Sequence, residues 1–332
     1  MALLVVPLAP QEVGLLTLWE WDELCRRERV LFELEDHPLR ARLAARGTEV
    51  VTLASDPNVA AGAWAVVADP ASPRIVRLAR KGAEVACPAH AVPDSLTAAH
   101  AAPIARRAAH SIAGLVAIMA RLRSEDGCPW DREQTHRSLE VHLLEEAHEV
   151  LDAIEGGEPT DLEEELGDLL LQVVFHAQMA WQSGAFDLAG VADAIVAKLL
   201  RRHPHVFGES AVADASEVVR NWEAIKGDEK RRSGPFDGIP RSLPALLEAY
   251  KSQKRAAQLG FGADEDAARR AVEQALGAGG PDAVGEALFW TVAVARARGT
   301  DPETALRRAT RSFVEALQSS RGGASAGGGS GA

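Results

Sequence analysis

Between Leu143 and Ala180 the chain reads LLEEAHEVLDAIEGGEPTDLEEELGDLLLQVVFHAQMA, and its acidic residues are spaced to share helix faces. Glu146 and Glu149 are three apart, Glu145 lies four before Glu149, and Glu165 and Asp168 are again three apart. Residues at those steps lie on one side of a helix. Gly156 to Pro159 supplies a tight turn, and Thr160 or Asp161 can cap the second helix, because Glu163 or Glu164 follows three residues later. In an antiparallel hairpin Glu149 then stands level with Glu165 and Glu146 with Asp168, since both pairs have the same index sum. Four or five like charges meeting there must take up protons or gather a cation. A hard divalent ion suits an all-oxygen site without His or Cys. Mg²⁺ keeps several waters and completes its shell with substrate phosphates, and Mn²⁺ can substitute.

The plain alternative is a solvated acidic face, since charged side chains are mostly exposed. Against it, Leu143, Leu144, Ala147, Val150 and Leu151 interleave with the first acidic set, and Leu166, Leu169, Leu170 and Val173 with the second. Downstream, AIVAKLLRRHPHVFG gathers Lys198, Arg201 and Arg202 at the end of a helix that Pro204 must stop. Cations there suit the helix dipole alone, and they also suit triphosphate oxygens and a departing pyrophosphate. Trp222 and Lys226, four apart in VVRNWEAIKGDEK, could hold a base and a phosphate, although Trp is commonly core. Trp130, Asp131, Gln134, Thr135 and His136 precede the acidic helix.

The elements that must position these groups are mostly helices. From Ile104 to Arg232 apolar residues recur at three- and four-residue steps, with stops at Gly156-Gly157, Gly184 and Pro204. A second helical region runs from Leu243 to about Leu317, and the Gly/Ser-rich tail, 319–332, is expected to be disordered. Before Ser55, short apolar runs alternate with helix-like segments, as in an α/β layer. Residues 56–103 are rich in Ala and Pro, and irregular structure plus a linker is expected there. The expected fold is therefore mainly all-α with a small α/β segment at the N-terminus.

The 332 residues allow two or three cores. A net charge of −12 argues against a broad surface for nucleic acid. Cys25, Cys87 and Cys128 show no metal or disulfide spacing, which fits a reducing cytoplasm. No secretory leader is apparent and no apolar stretch is long enough to span a bilayer.

EEAHE followed by ELGD resembles the EExxE…ExxD signature of MazG-type nucleoside triphosphate pyrophosphohydrolases, and CPWDREQTHRSL, KLLRRHPHVFG and NWEAIK resemble the flanks of that family. The resemblance covers about Ile104 to Arg232. It implies a dimeric helical bundle that converts a nucleoside triphosphate and water into the monophosphate and pyrophosphate, in cleansing the nucleotide pool. It further implies Glu146, Glu149, Glu165 and Asp168 as metal ligands, Glu145 as a further ligand or water-orienting group, and Lys198, Arg201, Arg202, Trp222 and Lys226 as nucleotide contacts.

Residues 243–318 resemble a second copy of the fold in which Glu273, Gln274, Gly277, Ala283 and Glu286 replace the five acids, too few carboxylates to hold a metal tightly. Residues 1–103 resemble part of a tetrapyrrole methylase followed by a linker, with Pro7, Ala9 and Gln11 where loop glycines are expected. That pattern predicts a remnant without methyl transfer. Two rivals remain. Glu145-x-x-His148 is half of a carboxylate-bridged di-metal oxidase motif, but the second helix has no matching His. The other rival is a non-catalytic helical dimerisation module.

Overall fold

The computed structural model describes residues 2–59, 63–88, 92–229, 234 and 236–325. The chain divides into two compact units, Met1–Val218 and Val219–Ala332. Helices dominate both, with one parallel sheet near the N-terminus.

The first unit opens with strands β1 (Leu4–Pro7), β2 (Arg29–Phe32), β3 (Glu49–Thr52), β4 (Trp64–Ala68) and β5 (Glu84–Val85), in the order β3-β2-β4-β1-β5. Helices α1 (Leu18–Cys25), α2 (Leu39–Ala44) and α3 (Pro73–Arg80) make the connections. The central strands are nearly continuous apolar runs because both faces are covered. Leu4, Val6, Val30, Phe32 and Val67 pack on one side with Leu24, Leu39 and Leu43. Val5, Leu31 and Val66 pack on the other with Ile75, Leu78, Ala98 and Ala99.

Residues 56–103, expected to be irregular with a linker, instead hold β4, α3, β5 and the start of α4 (Ser95–Leu122). Alanine dilutes the strand signal of WAVVA, and β5 is only two residues long. The expected boundary after Pro103 falls inside α4, which runs straight through that proline. Alanine is the strongest helix former, and Ala98, Ala99 and Ala102 are buried on the sheet side, so packing offsets the donor that Pro103 lacks.

Farther along, the same helix contributes Met119 to the core of the bundle, together with Leu139, Val174, Phe175 and Met179. Between the two cores, Arg106 crosses to the end of β1. Its guanidinium donates to Pro7 O (3.2 Å), Leu15 O (2.9 Å) and both carboxylate oxygens of Glu20 (2.6 and 3.0 Å). A parallel sheet usually offers its ligand crevice at the carboxyl ends of its strands; at the end of β1, a guanidinium fills that edge.

The bundle continues with α5 (Pro129–Glu133), α6 (Glu140–Gly156), α7 (Pro159–Gln182), α8 (Leu188–Arg202) and α9 (Pro204–Phe207). Helix α10 (Ala215–Glu229) carries the chain into the second unit, so the unit boundary precedes the expected end at Arg232. The second unit contains α11 (Ala245–Gln258), α12 (Glu265–Ala278), α13 (Ala283–Ala297) and α14 (Pro302–Ser325). Helix α14 continues to Ser325, inside the segment expected to be a disordered tail, and 326–332 lie outside the described residues.

Candidate functional site

The acidic residues sit on α6 and α7, and the turn between those helices sets their register. Helix α6 ends at Gly156 because Gly157 adopts φ 81°, a left-handed conformation that costs glycine little. Helix α7 then starts two or three residues earlier than a cap at Thr160 or Asp161 would give. Pro159 is its first residue, Glu158 precedes it without a side-chain cap, and both expected caps lie inside the first turn. Proline at that position has its φ preset and lacks a donor that would go unused.

Carboxylate oxygens of Glu146, Glu165 and Asp168 all lie within 4.8 Å of one another. Burial, the Asp168 charge, a hydrogen bond with Glu149 and the charges of Glu149 and Glu165 raise the pKa of Glu146 above its ordinary value. Desolvation and then the charges of Glu149, Asp168, Glu164 and Asp161 raise that of Glu165. Glu149 therefore faces both helices' acids while its own oxygens fall outside the tight trio. Glu145 stands apart, its Oε2 3.3 Å from Nδ1 of His142. Among the described residues no His or Cys joins the group, which leaves the Glu145-x-x-His148 oxidase pattern without its metal cage.

A sequence model of the MazG nucleotide pyrophosphohydrolase domain matches residues 134–207, which contain the whole acidic hairpin. The nucleoside triphosphate pyrophosphohydrolase of Escherichia coli strain K12 is 45% identical over 235 residues, covering 63% of this chain and 88% of that protein. The chain belongs to the MazG family. Similar relatives include the nucleoside triphosphate pyrophosphohydrolase/pyrophosphatase MazG of Thermotoga maritima, 43% identical over 212 residues (60% of this chain, 82% of that one). The nucleoside triphosphate pyrophosphohydrolase of Mycobacterium tuberculosis is 42% identical over 148 residues, covering 44% of this chain and 45% of its own.

The expected nucleotide contacts fall on two helices, α8 and α10. Lys198, Arg201 and Arg202 occupy the last turns of α8, where Lys198 is half-buried, Arg201 exposed and Arg202 buried. Trp222 lies on α10 in the second unit, beyond the residues matched by the family model, and the side chain of Lys226 lies outside the described residues.

Several polar groups of the MazG domain escaped the sequence reading. His142 holds Glu145 and stands edge-on to Trp130, with ring centroids 6.1 Å apart; its place three residues before Glu145 was the available signal. Gln172, one turn after Asp168, is buried with Oε1 unpartnered. An amide inside the apolar run LLLQVVF could have marked it. His136, already singled out ahead of the acidic helix, meets a partner the sequence did not announce: it stacks on His176 with Nδ1 atoms 2.8 Å apart. Arg123 ties the segment before α6 in place through Asp131 O, Gln134 O and Gln182.

The raised carboxylates give a pH test. An acid whose folded pKa is raised destabilises the fold as pH climbs from the unfolded value through the folded one. Metal-free protein bearing Glu165→Gln is therefore expected to melt above wild type at neutral pH, and the gap should close as pH falls into the ordinary carboxylate range. Thermal melts in EDTA at several pH values check this. A gap of the opposite sign would show that the acids are not crowded.

Proposed function

We propose that this chain hydrolyses nucleoside triphosphates to monophosphates and pyrophosphate, using a divalent cation, Mg²⁺ by preference, held by Glu146, Glu149, Glu165 and Asp168. The observation carrying this reading is the convergence of three carboxylates from two helices to within 4.8 Å. Hard cations bind oxygen at about 2.0–2.6 Å, so ligand atoms on opposite sides of one are roughly 4–5 Å apart. The oxygens present fit that span, and burial together with the neighbouring acids raises the pKa values of Glu146 and Glu165, which supports a site that a cation would relieve. The names of the family and of its relatives agree.

When bound, such an ion polarises phosphate oxygens and makes water a better nucleophile at neutral pH. The chain's own part is placement and charge. The α6–α7 hairpin carries the four carboxylates, with Glu146, Glu165 and Asp168 converging and Glu149 beside them. Glu145, steadied by His142, is set to orient water toward the α-phosphorus. Lys198 and Arg201 offset charge on the departing pyrophosphate, with Arg202 bracing the same helix end, and Trp222 and Lys226 hold base and phosphate in this reading.

Exposed Leu144, Leu151, Ile154 and Leu166 on α6 and α7 support a homodimer as the working form. No helix among the described residues is long and apolar enough to cross a membrane. Work on the cytoplasmic nucleotide pool completes the reading, supported by three free cysteines.

Purified protein with Mg²⁺ and a panel of nucleoside triphosphates should release equimolar monophosphate and pyrophosphate. EDTA should stop turnover, and Mn²⁺ should restore part of it. Release of orthophosphate and diphosphate would overturn the assignment.

A further inference from the structure

His136 lies exposed between α5 and α6, and His176 is half-buried on α7. Their rings are parallel to within 5°, with centroids 5.1 Å apart, and are offset so that the two Nδ1 atoms come to 2.8 Å. Ring nitrogens that close share one proton, because two lone pairs or two N–H groups would repel. The other nitrogen of His176 decides which ring donates. That Nε2 is buried with no hydrogen-bond partner, and a buried N–H without an acceptor is rarer than an acceptor left unfilled. The His176 proton is therefore on Nδ1, which donates to Nδ1 of His136, and His136 carries its own proton on Nε2.

That assignment makes the contact sensitive to acid. A proton taken up by His136 goes to Nδ1 and sets two donors against each other. His176 could then accept only by moving its own proton to the partnerless Nε2. Burial first and then the His136 charge lower the pKa of His176 below its ordinary value, so it does not take the proton itself. The packed elements carry other charges: Arg123 on α4, lying over the Phe175 ring, Asp131 and Glu133 on α5, Arg137 and Glu140 near His136 in the chain, and Asp168 earlier on α7. The charge that moves His176 is nonetheless that of His136.

We infer that His136 and His176 are positioning residues for the acidic hairpin, a latch that holds the segment before α6 against α7 while both rings are neutral and releases it in mild acid. The segment sets the approach to the site, since Trp130 on α5 stands edge-on to His142, which pairs with Glu145. Arg123 ties its nearer part through Asp131 O and Gln134 O, and the histidine pair adds the tie beyond them. The open latch binds protons that the closed one excludes, so its hold is complete above the ordinary imidazole pKa of about 6.5 and is lost as pH falls below it. Its part in turnover rests on the hydrolase reading, and the latch itself does not.

Amide hydrogen exchange reads the latch, because Leu139 N–H donates to Thr135 O and Glu140 N–H to Arg137 O within the segment. The full chain is followed in EDTA by mass spectrometry, corrected for the intrinsic effect of pH. Wild type should lose about ten-fold in protection between about pH 7.5 and about pH 5.5. His176→Phe, and His136→Phe at the exposed partner, keep a ring without the bond and should be equally unprotected at both values. His136→Asn offers an amide oxygen that accepts without titrating, and should stay protected at both. With Mg²⁺ and a nucleoside triphosphate near neutral pH, kcat/KM of both Phe variants should fall several-fold, and that of His136→Asn should stay nearer wild type. Wild-type protection that ignores pH, or protection unchanged in both Phe variants, overturns the latch. Full turnover in both Phe variants overturns its part in the reaction. Exchange is read without metal or nucleotide, so a chain that hydrolyses nothing would count against the hydrolase reading alone.

Discussion

Asp168→Ala and Glu149→Ala should each lower pyrophosphate release by more than about 100-fold, since even groups that merely support metal ligands are worth about 10–100-fold in metal affinity or activity. Asp168 supplies one of the three converging oxygens, and Glu149 stands beside Glu146 on α6 and near Glu165 on α7. Neither change removes a core side chain, so the metal-free fold should survive and even relax as like-charge repulsion falls. The decisive pattern is lost turnover with an unchanged or higher melting temperature in EDTA, together with loss of the stabilisation that millimolar Mg²⁺ gives wild type. Normal release of pyrophosphate by both variants would remove the catalytic centre from the hairpin and favour the non-catalytic module.

Arg106→Ala should be the most damaging single change outside the hairpin. Glu20 and Arg106 are both buried and joined by two short hydrogen bonds. Removing one partner of such a pair strands the other charge, at a cost of about 3–5 kcal/mol. For a unit of this size that lowers the melting temperature by roughly 10 °C. Burial alone raises the pKa of Glu20, but hydrogen bonds from Arg106 and Thr17 and the Arg106 charge outweigh it and bring the pKa below its ordinary value. The pair's contribution is thus complete above the unfolded carboxylate pKa and is lost as pH falls through the lowered folded value. A double variant, Glu20→Gln with Arg106→Met, should recover much of the loss. If Arg106→Ala melts like wild type, the clamp contributes little.

The acidic hairpin was legible because three features agreed: helical spacing of the acids, a Gly-Gly turn of fixed length, and apolar residues between the charges. Its starting residue was not, because Pro159 and the Thr160–Asp161 pair are competing start signals and only the backbone decides between them. The layer around β4 and β5 was misread since short, alanine-rich strands carry almost no periodicity, and an alanine-rich helix hid the passage through Pro103. Glu20 and Arg106 are far apart in sequence, and nothing local announces that they meet.

Because one continuous helix serves both the sheet and the acidic bundle, the first hundred residues cannot be shed as a detachable module. Severing the chain near Pro103 would cut through a rod and leave Arg106 without its acid. The sheet layer, with a guanidinium filling the end of β1, then serves as a handle on the scaffold from which the acidic helices hang.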